Sequence, residues 1–228
     1  FAASKVAGFD NPVITSVIQG GARHNAFIAI AIIERLYGGD GLTLALLASA
    51  ALIPTTNLMV VSTMSIMLQD NREGSLFLNL VKDLSRNPLL LSVGLGIAFN
   101  LLGVGKIPVI HDMTQLLGQA ALPIVLLCVG ANLRIKVMKM SALPFIISAV
   151  GKFLFFPAGV FVVLTAFNIT GEAWAVAMIY SMVPTASAGY TLARQMGGDA
   201  PLMASIVTLH TLFGMLLMPV VIALWILP

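Results

Sequence analysis

The sequence predicts an all-α integral membrane protein built as an inverted repeat, and three observations support that fold class. Of its 228 residues 59% are hydrophobic and 9% charged, with a mean hydropathy of +1.01, whereas soluble domains carry about 25% charged residues. A bilayer core about 30 Å thick takes ~20 apolar residues per helix, and seven apolar segments of that order follow one another along the chain. The pattern R-x-x-G-G-D occurs twice, as Arg35-Leu36-Tyr37-Gly38-Gly39-Asp40 and Arg194-Gln195-Met196-Gly197-Gly198-Asp199, at an offset of 159 residues.

In chain order the expected spans are 12–37, 41–69, 88–104, 112–133, 142–167, 172–196 and 202–227. The first and sixth are interrupted. Gly20-Gly21-Ala22-Arg23-His24-Asn25 combines helix breakers with a capping residue, and Val183-Pro184-Thr185 does the same in the sixth. At the 159-residue offset Asn25 falls on Pro184, so the break itself is repeated. Corresponding interrupted segments in two halves of a membrane chain point to a midplane binding site.

Charge placement sets the orientation. With the loop over 70–87 in the cytoplasm and the sides alternating, Lys5, Arg72, Lys82, Arg86, Arg134, Lys136, Lys139 and Arg194 fall inside. Arg35 and Lys106 fall outside, while Arg23 and Lys152 lie at membrane depth. That bias follows the positive-inside rule and gives the two R-x-x-G-G-D copies opposite topology. The expected organisation is then 1–69 as the last two spans of a first inverted repeat, 70–87 as a connecting loop, and 88–228 as a second repeat of five spans. Symmetry asks for roughly 70 residues, about three spans, ahead of Phe1. A seven-helix protein is the alternative.

Breaking a helix in the bilayer frees backbone N–H and C=O groups, tolerable only where they face a cavity or protein. Asn25 is a favoured N-cap, and Pro184 suits a first helical position, where its missing N–H costs nothing. Two half-helix N-termini meeting at one depth favour a carboxylate. Arg23 offers a two-pronged hydrogen-bonding edge, and His24, Thr185, Ser187 and Tyr190 offer further donors. Lys152, deep in the fifth span, needs a partner, and Asn57 of the second span can reach the same cavity. The candidate site is therefore Arg23, His24, Asn25, Asn57, Lys152, Pro184, Thr185, Ser187 and Tyr190.

Several classes are excluded or disfavoured. No H-E-x-x-H, G-x-S-x-G, phosphate-binding loop or dinucleotide fingerprint occurs, so neither an enzyme nor a cofactor is expected. His24, His111 and His210 are scattered and Cys128 stands alone, which argues against a metal site and a disulfide framework. The net charge of +3 comes from loop Lys and Arg and signals topology, with no nucleic-acid partner implied.

The residues resemble the auxin efflux carrier family and its bacterial organic-anion carriers. Gln19-Gly20-Gly21-Ala22-Arg23-His24-Asn25 is similar to a bacterial Q-G-x-x-R-x-N stretch, and Arg86-Asn87-Pro88 to the R-N-P that opens the second half. Gly118-Gln119-Ala120-Ala121-Leu122-Pro123 with Val129-Gly130-Ala131-Asn132-Leu133 resembles a small-residue helix. Lys152-Phe153 with Pro157, and Ser181-Met182-Val183-Pro184 through Tyr190, resemble later family segments. The resemblance implies five-plus-five inverted helices with two broken crossovers and an elevator-like secondary transporter. The cargo implied is a small organic anion, a dicarboxylate such as malonate or malate, crossing a bacterial inner membrane. Plant members carry Pro at both crossovers, whereas Gly20, Gly21 and Asn25 occupy the first here, which points away from aromatic auxin-like substrates. A proton or sodium as coupling ion and a homodimer remain open, as do a sodium-coupled symporter of the related bile-acid carrier type and a non-transporting membrane sensor or channel.

Overall fold

Residues 7–68, 88–105, 107–131 and 142–226 are described by a computed structural model, and their regular elements are all helical. In order these are α1 (Asn11–Ala22), α2 (Ala26–Leu68), α3 (Pro88–Leu101), α4 (Ile110–Ala131), α5 (Ala142–Val150), α6 (Phe156–Ala166), α7 (Gly171–Met182), α8 (Ala188–Met196) and α9 (Ala200–Val221). A π-helical turn, Gly151–Phe155, joins α5 to α6, and another, Ile222–Ile226, extends α9. The expected loop over 70–87, Lys5, Lys106 and the basic residues Arg134, Lys136 and Lys139 lie outside the described residues.

The helices fall on the apolar segments read from the sequence. Four stretches are long and apolar enough to cross a membrane: Asn11–Leu68, Ile110–Ala131, Ala142–Ala166 and Ala200–Leu224. Described as 14 residues, α3 covers about 21 Å at 1.5 Å per residue, and α7 and α8 are the halves of an interrupted segment.

Both R-x-x-G-G-D copies place their first glycine at positive φ. Gly38, at φ 63° and ψ −144°, leaves the helical region inside α2 and divides it into arms 26–37 and 39–68. Gly197, at φ 79°, ends α8 as a left-handed cap. Only glycine adopts such backbone without strain. In the second copy Asp199 then opens α9, its carboxylate accepting from the Leu202 N–H at 2.9 Å. The direction reverses at Gly38, because residues on both sides of it return to one neighbour, Tyr180. The His24 ring meets the Tyr180 ring edge-on at 5.7 Å, and the Tyr180 hydroxyl donates to Ala45 O at 2.8 Å and accepts from Ser49 Oγ at 2.6 Å.

The breaks differ in detail from the sequence reading. Gly20 and Gly21 are helical within α1, and the interruption is confined to Arg23, His24 and Asn25. Gly20 serves close packing instead: a Cβ there would strike Ser148 Oγ and lie 2.8 Å from Ile206 Cγ2, so α1 approaches α5 and α9 closely. In the second break Pro184 is not the first helical residue. It lies in an extended linker, and α8 begins only at Ala188 after the N-cap Ser187. Val183 at φ −62° and ψ 148° shows the cause, since a residue before proline is pushed out of the helical region.

The two breaks cross and bond to one another. Asn25 N–H donates to Pro184 O at 2.8 Å, and the Thr185 hydroxyl donates to Gly20 O. Around them the core is built of small and branched residues: Ala29, Ile33 and Ala45 of α2 against Ile179 and Val183 of the sixth segment, all fully buried. Small residues matter here because apolar burial drives helix association little in lipid, leaving close packing and hydrogen bonds to carry it.

Two outcomes follow for stability. Tyr180→Phe strands the buried Ser49 hydroxyl and lowers stability by about 1–3 kcal/mol, and adding Ser49→Ala recovers part of the loss because neither polar partner remains. Gly20→Val overpacks the contact with Ser148 and Ile206 and costs about 1–3 kcal/mol. Melting temperatures of the purified protein in detergent check both.

Candidate functional site

A helix that stops inside the membrane exposes polar backbone, and the local chemistry of each break decides where those groups point. At the first break the Arg23 N–H still bonds Gln19 O at 2.9 Å while its ψ of 150° turns the chain out of α1. Asn25 then restarts the helix. Its side-chain oxygen accepts from the Ile28 N–H at 3.3 Å, and its carbonyl accepts from the Ala29 N–H at 3.1 Å. At the second break the N–H groups of Gly189 and Tyr190 turn back to Ala186 O and Ser187 O, each at 3.1 Å. Much of both helix starts is thus satisfied within the chain. The two helix starts are therefore not the bare N-termini that the sequence reading expected.

Side chains of both breaks border a cavity of about 510 Å³, within the range of ligand pockets. The first break contributes Arg23, His24 and Asn25, and the second contributes Ala186 and Ser187. The 39–68 arm of α2 adds Ile53, Thr56 and Asn57, while Ser92 of α3 and Val129 of α4 complete the wall. The cavity therefore lies between the crossing and the α3–α4 pair.

Its charge is concentrated in one group. Arg23 is only 7% exposed, and its Nε–H donates to Gln19 Oε1 at 3.2 Å. Among the described residues no carboxylate pairs with it, and its two terminal nitrogens make no hydrogen bond to protein. A guanidinium held in this way is a ready anion receptor, since desolvated charge without a partner is costly and its free edge matches a carboxylate.

The structure brings Arg23, His24, Asn25, Asn57 and Ser187 to one cavity and leaves the other expected site residues off it. Thr185 is buried behind the crossing, its hydroxyl bonded to Gly20 O and 3.0 Å from His210 Nδ1. Pro184 contributes its carbonyl to Asn25 and packs on Gly214, where a Cβ would lie 3.2 Å from Pro184 Cδ. Tyr190 sits on α8 away from the lining. Lys152 is fully buried in the π-helical turn, its Nζ 4.8 Å from the Phe156 ring centroid and, among the described residues, without a hydrogen-bond partner. Turns of this kind recur at functional sites, but this one does not face the cavity. His210, also off the lining, lies with its ring 5.7 Å from that of Phe145 and 5.1 Å from that of Phe153.

Sequence reasoning missed Gln19 as the partner of Arg23, although the four-residue spacing on one helix was a signal. It also missed the apolar wall of Phe27, Ile53 and Val129, for which no local signal exists.

No curated protein and no solved structure matches the chain. A family model described as membrane transport protein matches residues 15–222, a range that contains both breaks and every lining residue. The apolar helices, the crossed breaks and this match together place the chain in the membrane transport protein family, that of the auxin efflux carriers.

Proposed function

We propose that the protein is a secondary transporter of a small organic anion, a dicarboxylate such as malonate or malate, and that Arg23 is its principal anion-binding group. One observation carries the reading: a buried guanidinium, unpaired at its outer edge among the described residues, faces a cavity where two broken helices cross. Asn25, Ser187 and Asn57 supply neutral donors around it. His24, whose buried Nε2 has no partner among the described residues, adds a further polar edge.

The meeting of Asn25 with Pro184, equivalents at the 159-residue offset, supports an inverted repeat, because symmetry mates approach each other only near the axis that relates them. Division of the chain at 70–87, with that loop in the cytoplasm of a bacterial cell, belongs to the same reading. An elevator-like movement is supported by connectivity. The crossing is tied to α5 and α9 through Gly20, Thr185 and His210, whereas α3 and α4 pack mainly on α2. The tied bundle can shift as a unit past that pair and carry the cavity with it.

In proteoliposomes Arg23→Gln is expected to weaken saturable malonate uptake at least tenfold, since a charge-assisted two-pronged contact is worth about 1.5–3 kcal/mol. Arg23→Lys restores only part, because an ammonium lacks the planar fork. Wild-type kinetics in Arg23→Gln would remove Arg23 from the site. Thr185→Val separates the crossing from the cavity: it leaves Gly20 O and His210 Nδ1 without their hydroxyl, so the melting temperature falls while anion affinity stays near that of the wild type. A loss of affinity with unchanged melting would put Thr185 in the binding site itself.

A further inference from the structure

Gln19 is fully buried on α1, one turn before Arg23. Its amide oxygen accepts the Arg23 Nε–H at 3.2 Å, and its Nε2 has no acceptor among the described residues. The orientation of the amide is dictated by chemistry, because only the oxygen can face an N–H donor. We infer that Gln19 is a positioning residue for anion recognition, holding Arg23 by Nε so that a substrate carboxylate docks end-on against Nη1 and Nη2. The inference rests on the anion-carrier reading above.

A guanidinium presents two edges to a carboxylate: the side edge, made of Nε and one terminal nitrogen, and the end edge, made of both terminal nitrogens. With Nε already given to Gln19, the end edge alone remains whole. The pair is also walled in. A Cβ on Gly189, in the first turn of α8, would lie 3.4 Å from Arg23 Cδ and 3.6 Å from Gln19 Oε1. The second broken helix thus backs the arginine stem while Gln19 fixes its head. Arg23 needs this support because its backbone has already left the helix, so the helix no longer directs its side chain. A receptor ordered beforehand avoids the entropy that a ligand would otherwise have to supply.

The test uses the protein in proteoliposomes with radiolabelled malonate, together with Gln19→Met and Gln19→Glu. Methionine keeps the volume and removes the acceptor, so KM is expected to rise about tenfold with Vmax near wild type; the melting temperature changes little, because losing the unpartnered Gln19 Nε2 offsets the stranded Arg23 Nε–H. Glutamate keeps the acceptor but neutralises the guanidinium, so KM rises at least as far. A purely structural glutamine would lower the melting temperature and leave KM alone. Gln19→Met with wild-type KM, beside an Arg23→Gln variant that has lost uptake, overturns the positioning role and leaves the anion site standing. If Arg23→Gln also keeps wild-type uptake, or malonate, malate and acetate all fail to bind, the anion reading falls and the positioning role with it. A measurement on the wild-type protein covers variants that fail to fold. With arginine side chains labelled with nitrogen-15, malonate should shift the Arg23 Nη resonances more than Nε, and the reverse order overturns end-on docking.

Discussion

Two helices broken at one depth, in a medium without water, must find partners for every backbone group they release. Here much of the solution is mutual. The first break donates through Asn25 N–H to Pro184 O, and the second donates through Thr185 to Gly20 O. An unmade bond of this kind in an apolar interior costs several kcal/mol, so the two breaks cannot drift apart independently. Other features fit this tie. His210 reaches Thr185 from α9, and Gly20 stays small so that α5 can close on α1. Tyr180 binds α7 to α2 at the same level.

In the proposed anion site, satisfying the backbone internally leaves recognition to side chains. Helix starts that the sequence offered as bare anion sites prove to be partly capped, by Asn25 in one case and by tight turns in the other. A helix end is worth ~0.3–2 kcal/mol toward an anion even when free. A guanidinium with an open edge contributes both charge and direction, and Arg23 is the group so placed. The polar donors in the lining stand beside it, while Phe27, Ile53 and Val129 supply an apolar boundary.

The helical content, the interrupted segments and the family were legible in the sequence because they rest on local signals: apolar length, Pro184 with its effect on Val183, and a motif recurring at one offset. Arg23, His24 and Asn25 were legible for a related reason, since polar residues at membrane depth have few other roles. What could not be read was direction. Thr185 carries a hydroxyl at the right depth, yet its side chain faces back toward Gly20 and His210, and adjacent residues in an extended linker point to opposite sides. Lys152 lies buried in the π-helical turn at Gly151–Phe155 and does not line the cavity. The place of Gly20-Gly21 was misread because glycine signals both a break and a close approach, and only the neighbour, Ser148, decides between them.

The crossing joins residues that correspond at the 159-residue offset, but proline makes the junction one-sided. Asn25 can donate to Pro184, whereas Pro184 has no N–H to return, and the Asn25 carbonyl turns instead to the Ala29 N–H. A perfect two-fold would have given a reciprocal pair and two equal halves. This chain has a directed seam, with the capped, charged half on one side and the proline half on the other. The two breaks therefore differ in chemistry: the first carries Arg23, His24 and Asn25, and the second a proline linker that accepts from Asn25. In the proposed inverted repeat, the missing N–H at Pro184 marks a place where the two halves are not interchangeable.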